Sequence, residues 1–331
     1  MSVANAEGAI MAHALKVQDF SLKKGDVIRA ADVTALKAAD IHMIIAARLE
    51  AGDVVENVAA SRLAQRVAGV NVRCEPPFTG RCNLLATAAG LVRVDGLVVD
   101  EINGQDEAIT VATLHSMQPV VAGEMIATVK IIPFAVPGDS LDRALNAAHA
   151  PSVSVAPFLP LRVAVLSTRL PALKASTIDK TLRVLETRLA LAGASIVADV
   201  RMAHDAASLA AALRALVDVD IVIVFGASAI TDRRDVVPAG LESAGGLVEH
   251  LGMPVDPGNL LLLGALTIDG RTRPVVGAPG CARSAKENGF DFVLWRLLAG
   301  QTVTGRDLRR MGVGGLLSEI VSRPQRRQIA V

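Results

Sequence analysis

The 331 residues predict an α/β protein in which a doubly wound, mostly parallel sheet is preceded by a smaller α+β domain. Three observations carry this. From residue 161 onward, short apolar runs alternate with amphipathic helical patterns, the βαβα order that builds a parallel sheet. Before that point the pattern is less regular and shows no repeat. Between the two lies 150–161, APSVSVAPFLPL, with three prolines, two serines and neither charge nor helical period. It reads as a linker or a domain-crossing strand, so the expected domains are 1–150 and 151–331.

In the second half, 161–167 (LRVAVLS) has the continuous apolar character of a strand buried on both faces. A helix is expected over 177–192, where Ile178, Leu182, Leu185, Leu189 and Ala192 recur at three- and four-residue steps. Strand 194–200, helix 206–217 and strand 220–225 follow. The run 238–251 reads as one helix closed by Gly252. Strands 260–268 and 273–276 flank a turn at Asp269 and Gly270, and helices are expected over 282–288 and 291–298. In the first half, a turn at 23–25, helices over 31–38, 53–67 and 141–149, and strands over 43–47, 91–94, 109–114 and 125–134 are the expected elements.

Composition narrows the function. Aromatic residues make up 2% of the chain and tyrosine is absent, which speaks against base-stacking platforms for single strands. With 34 basic and 33 acidic residues the net charge is +1, and the clearest basic cluster is Arg323, Arg326 and Arg327, so nucleic acid is not an expected partner. Three cysteines without paired spacing predict neither a zinc site nor a disulfide framework, which fits a reducing compartment. The mean hydropathy is positive, yet the longest apolar runs fall far short of the roughly 20 residues a membrane span needs. No secretory pattern opens the chain, and a cytoplasmic location is the expectation.

Ligands of open parallel sheets bind beyond the carboxyl ends of the strands. Four loops are expected there: after Thr168, around His204 and Asp205, over 226–235, and over 277–284 (GAPGCARS). In the last, Gly280 would let the backbone approach a ligand, and a following helix N-terminus, Arg283 and Ser284 suit a phosphate. A plain turn with a surface arginine accounts for the same residues. In the third loop Arg233 and Arg234 suit an anion, and Asp232 and Asp235 a metal or phosphate. Asp235 and Asp205 each precede a helix, so capping is the alternative for both.

The run IVIVFGASAITDRRDVVPAGLESAGG resembles the signature of the molybdenum-cofactor biosynthesis fold, shared by molybdopterin adenylyltransferases and molybdenumtransferases. DPGN at 256–259 resembles the Pro-Gly loop of that fold, and GAPGCARS its last ligand loop; the likeness covers about 161–317. KIIPFAVPG, CARSAKENGFDFVLWRL and MGVGGLLSEI, with EGAIMAH and PFTGRCNLL upstream, resemble bacterial molybdopterin-binding proteins often fused to a cytidylyltransferase-like domain. The resemblance implies a pterin ligand, molybdopterin or the molybdenum cofactor. It implies that Thr168, Gly226, Ser228, Thr231, Arg234, Pro257, Gly258, Gly280, Cys281, Arg283 and Ser284 bind it, and that Asp205 and Asp235 serve catalysis or hold Mg²⁺. It further implies a homo-oligomer and a cytidylyltransferase or molybdoenzyme partner, in a role of cofactor biosynthesis, maturation or transfer. A non-catalytic carrier or sensor is the alternative, because Gly226-Ala227-Ser228-Ala229 replaces the Gly-Gly-Thr-Gly type loop and Cys281-Ala282 replaces Asn-Pro.

Overall fold

The computed structural model describes residues 1–17 and 20–317. The basic cluster at Arg323, Arg326 and Arg327 and the end of the MGVGGLLSEI run lie outside the described residues. The chain forms two compact units, Met1–Ala156 and Pro157–Val331.

The first unit has two apolar cores. Val3, Ala9, Met11, Leu22, Ile28, Leu36 and Ile44 form one. The larger gathers helix Glu56–Val67 against an antiparallel sheet ordered Val72–Cys74, Arg81–Ala86, Met125–Ile131, Ile109–Thr113. One expectation fails here. The helix expected over 53–67 begins at Glu56, because β-branched Val54 and Val55 extend Asp53–Val55 as a strand paired with Ala135–Pro137. The 150–161 segment, read as a linker or a strand, contains Val153–Pro157, a strand of a three-stranded sheet with Gly90–Val94 and Pro119–Val120.

The second unit is a mixed α/β layer structure. Its elements are β1 (Arg162–Arg169), α1 (Ala175–Ala190), β2 (Ser195–Ala203), α2 (Ala206–Arg214), β3 (Ile221–Phe225), α3 (Val236–Ser243), β4 (Leu247–Leu251), β5 (Leu262–Ile268), β6 (Arg271–Ala278), α4 (Gly289–Leu298) and the short helix α5 (Gly305–Arg309). The six-stranded sheet runs β2-β1-β3-β6-β5-β4. The pairs β1–β2, β1–β3 and β3–β6 are parallel, while β5 and β4 run antiparallel at one edge. Alternate strand residues feed two cores, as the two-residue period demands. Val163, Val165, Ile221, Ile223 and Val276 meet α1 and α4, whereas Ala164, Leu166, Val222, Val224 and Val275 meet α2 and α3.

Two predicted helices are replaced. The helix expected over 238–251 stops at Ser243, and the chain turns at Gly245, φ 89°, into strand β4. A Cβ on Gly246 would lie 2.8 Å from the Ala265 carbonyl, so the Gly-Gly pair permits the tight return to the sheet. The helix expected over 282–288 is a short 3₁₀ turn, Gly280–Arg283, and the next α-helix starts only at Gly289. Arg188 of α1 is the physical reason. Its guanidinium donates to the carbonyls of Ala282, Ser284 and Lys286, which helical bonding would otherwise engage. The helix-dipole argument for an anion at Gly280, Arg283 and Ser284 therefore loses its basis.

Candidate ligand site at the strand ends

The parallel register brings the expected loops to one rim. Phe225, the last residue of β3, pairs with Ser167 on one side and Ala278 on the other, while Thr168 pairs with Met202. Loops 204–205, 226–235 and 279–288 thus leave the sheet side by side. Because β5 is antiparallel to β6 and Leu262 pairs with both Gly277 and Leu251, the 252–261 loop joins the same rim.

A chain of polar groups ties the first three strand ends together. Thr168 is fully buried, and its Oγ1 accepts the Ala227 amide at 2.9 Å. The same oxygen lies 2.8 Å from His204 Nδ1, and His204 Nε2 lies 2.9 Å from Ser228 Oγ. Ser228 itself is exposed. Gly226 has a steric requirement, since a Cβ there would come within 2.8 Å of the Ser228 carbonyl. The sequence places His204 in the loop after β2 but gives it no role of its own. Its place beside Asp205 at a predicted strand end was the available signal.

The two carboxylates differ in how they are held. Asp205 is the N-cap of α2, accepting the Ser208 amide at 2.7 Å and the Ser208 hydroxyl at 2.7 Å. Asp235 occupies the N-cap position of α3, but its side chain does not cap that helix. Its Oδ2 instead accepts the amides of Thr231 (2.6 Å) and Asp232 (2.9 Å) and the Thr231 hydroxyl (3.1 Å). These bonds hold both carboxyls below the ordinary value, chiefly the Ser208 amide for Asp205 and the Thr231 amide for Asp235. Arg234 is exposed and bonded to Asp232 at 2.8 Å. Among the described residues, no three His, Cys, Asp or Glu come together as a metal group.

The 277–284 loop is held from behind. Arg283 turns inward, donating to Thr181 Oγ1 and the Gly226 carbonyl, each at 3.0 Å, with its guanidinium 5.2 Å from the Phe225 ring centroid. It links two rim loops, and burial lowers its pKa. The Cys281 Sγ lies 3.5 Å from Asn288 Oδ1, and burial raises its thiol pKa, opposite to what a helix N-terminus would do. Gly280 is exposed, and the space a Cβ would take is open; Ser284 is also exposed. Pro257 and Gly258 face α4: the Pro257 carbonyl accepts the Gly289 amide at 2.8 Å, and a Cβ on buried Gly258 would strike Gly289 at 2.7 Å. Arg188, Thr181 and Asn288 support this rim and carry no sequence signal of their own.

Residues 163–299 match the family of a probable molybdopterin binding domain. These residues make up most of the second unit, which is therefore similar to that family. The match covers the six-stranded sheet from the second residue of β1 onward, together with the rim loops. Residues 1–48 match a domain of unknown function (DUF8806), a stretch that contains the small N-terminal core. No curated protein matches the chain. Among the described residues, no helix is long and apolar enough to cross a membrane. A role related to molybdopterin in cofactor biosynthesis follows from the family.

Proposed function

We propose that the rim binds molybdopterin or the molybdenum cofactor and that the protein carries this ligand through a step of cofactor maturation or transfer. The observation behind this is the alignment of loops 226–235 and 279–288 at the ends of neighbouring parallel strands, within the matched domain. The donor set fits the ligand. Exposed Ser228, Thr231, Gly280 and Ser284 offer hydroxyls and backbone groups, and exposed Arg234 offers charge, which suits a polar pterin ring with a phosphate. Gly226 and Thr168 hold the backbone of this wall, Arg283 and Cys281 lie behind it, and Pro257 and Gly258 anchor the neighbouring loop to α4. When bound, the ligand supplies the sulfur pair that carries molybdenum.

Magnesium fits less well as a resident ion. Asp205 and Asp235 both spend acceptor capacity on their own loops, and no third ligand joins them among the described residues. Mg²⁺ is commonly held by one or two carboxylates plus substrate phosphates, so it would arrive with a phosphorylated ligand. A homo-oligomer, and a cytidylyltransferase or molybdoenzyme that receives the ligand, complete the proposal.

Purified protein incubated with molybdopterin, Mg²⁺ and ATP or CTP tests it. Saturable pterin binding without diphosphate release is expected of a carrier. Diphosphate release would make the domain a nucleotidyltransferase, and absence of pterin binding would refute the site.

A further inference from the structure

The polar chain at the rim has a direction set by hydrogen counting. Thr168 Oγ1 is buried and already accepts the Ala227 amide. Its own proton needs an acceptor, and among the described residues the partner within reach is His204 Nδ1 at 2.8 Å. That nitrogen must then be unprotonated, which places the single proton of a neutral imidazole on Nε2. Nε2 lies 2.9 Å from Ser228 Oγ and donates to it. The serine hydroxyl, supplied with a donor from behind, is left to turn its own proton toward the exposed side.

We infer that His204 is a positioning residue, held as the Nε2–H tautomer by Thr168, which presents the Ser228 hydroxyl as an outward hydrogen-bond donor to an acceptor oxygen of the ligand. This rests on the pterin reading and deepens it. Phosphate oxygens and the pterin ring carbonyl share that acceptor chemistry. The same geometry argues against Ser228 as a histidine-activated nucleophile, because the nitrogen facing it already carries a proton.

Nitrogen-15 NMR of the labelled full chain at mildly alkaline pH tests the tautomer without any ligand. One ring, assigned by its disappearance in His204→Gln, should show protonated Nε2 and bare Nδ1; the opposite tautomer overturns the inference. Binding supplies the second arm, with inorganic phosphate and an unphosphorylated pterin as separate probes. The Gln amide nitrogen overlays Nε2, so His204→Gln should stay within about threefold of wild type. His204→Asn, which reaches only the Nδ1 position, and Ser228→Ala should each lose about tenfold or more, as expected for a hydrogen bond to a charged or strongly polar acceptor. Loss confined to phosphate identifies a phosphate oxygen, and loss confined to the pterin identifies the ring carbonyl; either supports the assignment. Equal loss in the Gln and Asn variants, or no loss in Ser228→Ala, overturns it. Wild-type protein that binds neither probe sinks both the donor assignment and the pterin reading, whereas the wrong tautomer sinks this inference alone.

Discussion

Arg283 shows how a residue chosen for one reason acts for another. Its two hydrogen bonds and its place over Phe225 make it a brace between loops, and a single ammonium could not reach both partners. Arg283→Ala should destabilise the protein by about 1.5–3 kcal/mol in denaturant unfolding, and Arg283→Lys should recover only part of that. An unchanged midpoint would return the arginine to the role of a surface charge. The rim carboxylates give a pH prediction with a definite sign. Asp205 and Asp235 have folded pKa values below the unfolded value of about 3.9, so the stability they add is complete above it. That stability disappears as pH falls through the lowered folded values. Glu287, whose pKa burial raises, acts in the opposite sense. The melting temperature should drop on acidification below about pH 4, and the double variant Asp205→Asn, Asp235→Asn should drop less steeply. Parallel pH profiles for the two proteins would contradict this.

At the scale of the element, the 279–288 segment depends on Arg188. The Arg188–Asp291 pair is nearly inaccessible, its side chains 9% and 4% exposed, and spans 2.5 Å. Removing the arginine strands a buried carboxylate and releases three loop carbonyls. Arg188→Ala should therefore cost about 3–5 kcal/mol, readable as a large fall in melting temperature. This segment also shows where sequence reading stops. The apolar runs 163–166 and 221–224 and the helix periodicity of 178–189 were legible because local pattern and burial agree there. The 282–288 run has helical residues, but a partner roughly a hundred positions away claims its carbonyls, and no local pattern reports that. Strand β4 was missed for a different reason. Its Gly245-Gly246 signal was present but outweighed by apolar spacing that suits either element. For the site, the loop positions were readable from strand order, while Arg283 turning inward and His204 joining Thr168 to Ser228 arise only from tertiary contact.

The molecule as a whole has separate cores in its two units, so calorimetry should resolve two unfolding transitions. Arg188→Ala should lower one of them and leave the other in place; a single transition that moves as a block would contradict this. The reversal of β5 has a further consequence. A sheet with every strand parallel would send the 252–261 connection away from the ligand edge, but here the reversal brings it back. The rim is thereby assembled from separate segments, each rooted in a rigid strand and each open to change without disturbing the layer beneath. A change in one segment can therefore redirect the chemistry of the edge while the scaffold stays intact.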